Sequence, residues 1–248
     1  MSEKQAQYGY KGKSMKETHA IIEEMDFSLL YDYDRLKLHK LSPEGKIKWF
    51  RLRMESLYIK PLGFIFDESS DKFEMFNNDN MTTKMVPEFW AFNITAFSAL
   101  LNGMETFGAF MRPRFVNNNQ KENRNNFHKF LSKYMSEWDQ KVKISGRLYR
   151  DPKTGKVIIL KSKEKKLWKI LWFDFRNCLA HGLKIENGGV ENKKMEVPYE
   201  IINGLVQINP IRFYSDLKMG IERYFDDILE KKHDRKLFLK AFKYFFPY

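Results

Sequence analysis

Arg176, Asn177 and His181 stand close together in the stretch FRNCLAHG, residues 175–182, at the end of a run rich in Leu, Ile, Trp and Phe. A guanidinium and an imidazole form a workable pair for phosphodiester cleavage. Histidine moves protons near neutral pH, and arginine holds a phosphate and offsets charge that builds on it in the transition state. RNA carries its own nucleophile, the 2'-hydroxyl, so this chemistry requires no metal and no cofactor. On a helix, Asn177 and His181 are four apart and share a face. Arg176 lies about 140° round the axis from His181, and its long stem can swing the guanidinium back towards the same groove. Gly182 suits a left-handed helix end, which would put His181 in the last turn, where open carbonyls favour the protonated ring.

The same residues also have an architectural reading. Arg176 could pair with Asp174, Glu105 or another acid, and His181 could serve as a helix cap. Glu105, in NGMETF, could orient Arg176 or act as an ordinary partner at the edge of the core. Cys178, the single cysteine, reads as a small buried hydrophobe and excludes an intramolecular disulfide. His19, His39, His128 and His233 are scattered and show no partners by spacing. The chain has no phosphate-loop, dinucleotide or zinc signature and no nucleophile elbow. A second basic feature, KSKEKKLWK, puts Lys161, Lys163, Lys165, Lys166 and Lys169 just ahead of the motif. These lysines read either as a solvated face or as a track for an RNA backbone.

Around these residues the chain is organised as a mostly helical protein. Its 248 residues suit a single domain, in which 67–248 form the core and 1–66 an N-terminal helical extension. A helix is expected over 15–40. LSPEGK starts another, with Ser42 as cap and Pro43 at the first position; Pro61 should end it near Lys60. Residues 67–86 read as a loop. Pro87 opens a long apolar helix to about Met111, whose Gly103 and Gly108 allow close approach of a neighbour. An amphipathic helix is expected from Lys121 to Val142, a hairpin over 145–160, and the motif helix from Lys163. Short strands fill 183–208, a helix runs from Pro210 to about Lys232, and a shorter one ends the chain. The surplus of 44 Lys and Arg over 32 Asp and Glu, a formal charge of +12, favours polyanionic partners, with nucleic acid ahead of membrane. No apolar run is long enough for a membrane span, and the polar N-terminus points to a cytoplasmic protein. Trp172, Phe175 and Leu179 offer apolar surface through which the motif region could form a homodimer.

With its polar residue directly after the arginine and its position at the end of an apolar helix, RNCLAH resembles the signature of the HEPN superfamily (higher eukaryotes and prokaryotes nucleotide-binding). The order of a long apolar helix, a motif helix and a final long helix is also similar. Residues 1–66 and the 145–160 hairpin have no counterpart. The resemblance implies an all-α, HEPN-like helical bundle, a dimer in which two motifs face one cleft, and a metal-independent endoribonuclease. Arg176 and His181, with Asn177, would be its catalytic residues. Such proteins occur in toxin–antitoxin, abortive-infection and CRISPR systems, so an antitoxin or another protein partner is also implied. Some members have lost catalysis and serve as modules that bind RNA, nucleotide or a partner protein.

Overall fold

The computed structural model describes residues 35–67, 86–112, 120–144, 148–150, 157–159, 163–176, 188–190, 197–202 and 205–247. The chain divides into two compact units, Met1–Leu41 with Tyr248, and Ser42–Pro247. In the first, helix α1 spans Arg35–Lys40; the remainder of the expected 15–40 helix and residues 68–85 of the expected loop lie outside the described residues. The protein is mostly helical with a few small sheets, as its apolar periodicity implies. No helix among the described residues is long and apolar enough to cross a membrane.

The second unit opens with α2, Pro43–Met54. The Ser42 hydroxyl accepts a hydrogen bond from the Gly45 N–H at 3.0 Å, and Pro43 occupies the first turn. Pro61 does not end the helical path. A π-helical turn, Glu55–Ile59, leads into α3, Lys60–Phe66, and Pro61 falls in the first turn of α3, where a missing N–H costs nothing. These segments are not an appendage to a core that starts at 67: Trp49, Phe50, Met54, Ile65 and Phe66 are all buried, and Phe50 meets the Phe107 ring at 5.9 Å.

Helix α4, Val86–Phe110, is the centre of this unit. Phe107 stacks on Phe130 at 5.2 Å and meets Tyr224 edge-on at 5.5 Å. Offset and edge-on ring pairs add to the hydrophobic gain of burial. Helix α5, Gln120–Tyr134, packs directly against α4. A Cβ on Gly108 would lie 1.8 Å from the Asn126 carbonyl oxygen, so only glycine permits this approach. α5 stops at Tyr134, short of the expected Val142, and a 3-10 turn, Ser136–Asp139, precedes strand β1, Lys141–Ile144.

The expected hairpin forms from β2, Leu148–Arg150, and β3, Val157–Ile159, paired antiparallel. Strand β4, Lys163–Lys166, pairs antiparallel with β1, and helix α6, Leu167–Ile170, follows it and widens into a second π-helical turn, Leu171–Arg176. A three-stranded sheet places β7, Leu205–Ile208, between a parallel β5, Gly188–Val190, and an antiparallel β6, Tyr199–Ile202. Asn209 then caps α7, Pro210–Glu230, by accepting from the Arg212 N–H at 3.0 Å. Helix α8, Lys232–Phe245, completes the unit.

Candidate functional site

Three burial-driven contacts set the position of Arg176. Leu171, Trp172 and Phe175 are buried within the unit, with Phe175 edge-on to Phe97 of α4 at 5.8 Å and Trp172 against Phe127 of α5 at 5.3 Å. The π-helical turn thus lies locked between α4 and α5, and Arg176 closes it. The Arg176 Nη2 donates to Glu105 Oε2 on α4 at 2.8 Å. Its guanidinium carbon also sits 4.9 Å from the Trp172 ring centre, a cation–π contact. The Arg176 and Glu105 side chains are only 20% and 17% exposed, so the pair works in a weakly screening environment. The Arg176 Nε is buried and has no hydrogen-bond partner among the described residues. Burial pushes the Glu105 carboxyl above its ordinary range; the adjacent guanidinium pulls it down and offsets only part of that.

Asn177, Cys178, Leu179, His181 and Gly182 lie outside the described residues, as does Lys161. The burial of Trp172 and Phe175 corrects one expectation: both face the interior of their own unit, so neither supplies surface for a dimer. Phe173 is the outward-facing residue of this turn, 44% exposed, with the Arg124 guanidinium over its ring at 5.9 Å.

The lysine run is also placed differently. Lys163, Lys165 and Lys166 belong to strand β4 and not to the start of the motif helix. Directly opposed residues of an antiparallel pair share a face. Lys163 opposes Ile144 and Lys165 opposes Val142, both buried, whereas Lys166 opposes the exposed Lys141. Strand alternation therefore sends successive lysines to opposite faces. Lys166 is further engaged by Asp139, at 3.1 Å from both the carboxylate and the backbone carbonyl. Lys169, on α6, is exposed and lies 5.7 Å from the Trp168 ring.

Spacing alone gave no sign of the partners of His128. Its ring stacks on Trp168 at 4.3 Å, and its Nε2 is 3.4 Å from Asp139 Oδ1, the carboxylate that Lys166 also holds. His128, Asp139, Lys166 and Trp168 come from α5, the 3-10 turn, β4 and α6, so only the tertiary fold assembles them. An imidazole next to a carboxylate can exchange protons with a bound molecule, and an ammonium group beside it can attract an anion. Among the described residues no three His, Cys, Asp or Glu side chains are grouped to hold a metal ion.

No family model matches the chain, and neither a curated protein nor a solved structure does.

Proposed function

We propose that the protein is a metal-independent endoribonuclease of HEPN type. In this reading Arg176 holds the scissile phosphate and stabilises its developing charge, His181 acts as general base or acid, and Asn177 positions the phosphate or the imidazole. The products are a 2',3'-cyclic phosphate and a 5'-hydroxyl. Glu105 orients the guanidinium, the exposed lysines of β4 and α6 contribute backbone contacts to RNA, and the working form is a homodimer. A toxin–antitoxin or phage-defence setting, with a protein partner that restrains the activity, fits the same reading.

The observation that carries this reading is the held guanidinium: a mostly buried arginine, fixed by a carboxylate and an indole, directly precedes Asn177 and stands five residues before His181. Pre-set orientation of a charged group is what electrostatic catalysis requires. The net charge of +12 supports a polyanionic substrate. A second reading, a non-catalytic helical module that binds RNA, nucleotide or a partner protein, is favoured by the same ion pair, because an arginine already paired with a carboxylate also serves to join α4 to the π-helical turn.

Cleavage of total RNA in excess EDTA separates the two. The wild-type chain should generate 2',3'-cyclic phosphate ends, and His181→Ala should lose at least about 100-fold in rate while it keeps its thermal transition. A variant that cuts as fast as wild type removes His181 from the mechanism. A wild-type chain that binds RNA and leaves it intact establishes the binding module.

A further inference from the structure

We propose that the cleft between the end of α4, the second half of α5, α7 and the start of α8 binds a small phosphomonoester with an aromatic body that carries a hydrogen-bond acceptor. The proposal does not depend on the ribonuclease reading.

The cleft has a volume of about 630 Å³. Tyr134, Tyr224 and Ile228 form its floor and are 5%, 1% and 1% exposed. The Tyr134 hydroxyl donates to Asp227 at 2.9 Å. The Tyr224 hydroxyl, by contrast, is buried and has no hydrogen-bond partner among the described residues. A buried donor is costly to leave unpaired, and such a group calls for a specific explanation. Here it sits in the wall of an open cleft, where an acceptor on a bound molecule would satisfy it. The rings of Tyr134 and Tyr224 meet edge-on at 5.8 Å and offer aromatic surface to a flat body.

The rim of the cleft is cationic. Arg112 is held by Glu122 and by Asn126, at 2.5 and 3.2 Å, and Lys133 by Asp227 and Asp234, at 2.8 and 3.1 Å. Lys129 and His233 line the same cleft and make no ion pair among the described residues. Helix α8 begins here, and Lys231 at its cap position provides no side-chain hydrogen bond to the first turn. The first N–H groups of a 14-residue helix therefore add positive potential beside Lys129 and His233. A phosphomonoester suits this rim better than a carboxylate, because it carries up to two charges and three acceptor oxygens to share among an ammonium, an imidazolium and helix N–H groups.

Calorimetric titration of the full chain with adenosine 5'-monophosphate, adenosine and inorganic phosphate at low salt tests the site. The nucleotide should bind at least about tenfold more tightly than either part alone. Tyr224→Phe keeps the ring and removes the hydroxyl. It should weaken nucleotide binding by about tenfold while its melting temperature stays at or above that of wild type, since the substitution deletes an unpaired buried polar group. The Lys129→Gln, His233→Gln double variant should lose about tenfold at low salt, and the gap should narrow as salt rises. Competition by a 5'-phosphorylated tetra-adenylate would identify the ligand as a strand end, and its absence would identify a free nucleotide; either keeps the phosphomonoester site. The proposal fails if the wild-type chain does not bind the nucleotide at millimolar concentration, if adenosine binds as tightly, or if Tyr224→Phe binds it unchanged.

Discussion

The two ends of the segment 163–176 carry the same kind of charge in opposite settings. At the front, Lys163, Lys165 and Lys166 lie on a short strand, spread over both of its faces. At the back, Arg176 is a single cation at the end of a buried π-helical turn, with one carboxylate at 2.8 Å and one indole beneath it. Thirteen residues apart, these groups differ in what their removal would leave behind. A lysine at the front vacates a site that water refills. Loss of Arg176 strands Glu105, whose carboxyl is already disfavoured by burial. The contrast teaches that charge counts for stability and orientation only where solvent cannot substitute for the partner.

The most direct way to break this contrast is Arg176→Ala. It should destabilise the fold by about 2 kcal/mol, measured by urea unfolding, and Glu105→Ala added to it should recover part of the loss. A double-mutant cycle that shows no coupling would mean that the back end is as solvated as the front.

An intermediate case sharpens it. Asp227 on α7 is pushed up by burial, yet hydrogen bonds from Lys133, Lys231 and Tyr134 outweigh this and hold it down at about 2. A depressed carboxylate stabilises the fold above its ordinary value of 3.8 and loses that contribution as pH falls towards about 2. Acid unfolding should therefore weaken the wild-type chain by about 1 kcal/mol more than Asp227→Asn between those two pH values. Parallel acid profiles for the two chains would show that solvent screens the cluster entirely.

The smallest stability effect belongs to the front end. Replacing Lys163, Lys165 and Lys166 by Gln should change stability by less than about 0.5 kcal/mol. If these lysines touch RNA, the salt dependence of binding should flatten by roughly 0.7 for each phosphate that is no longer neutralised. Because alternation divides the three between two faces, a single strand should be neutralised by no more than about two of them. A slope change that corresponds to all three would show that both faces bind together.

Where the chain's own neighbours decide the outcome, structure could be read directly from sequence. Ser42–Pro43 and Asn209–Pro210 start helices because a cap and a proline act within one turn. Gly108 was legible as a point of close approach, although not that Asn126 would fill it. Lys163–Lys166 was not legible as a strand, because KEKK has no apolar period and its partner, β1, lies some twenty residues earlier. Pro61 misled for a related reason: a proline forbids a helix interior, but the π-helical turn before it turns that interior into a beginning. At the candidate site, Glu105 could be named as one of several acids for Arg176, whereas His128 and Asp139 meet only because α5 stops at Tyr134 and turns.

The π-helical turn at Leu171–Arg176 also has a genetic meaning. A π turn holds one residue more than the α turn it interrupts, so it behaves as an insertion that the helix has absorbed. Deleting a single residue within it would restore ordinary winding and rotate everything downstream by about 100°. Arg176 would then leave the face that meets Glu105, and every position after it in the reading frame of the motif would change its heading together. Length, as much as residue identity, is therefore under constraint in this turn: substitutions at the outward-facing Phe173 can be absorbed locally, whereas the loss of one codon cannot.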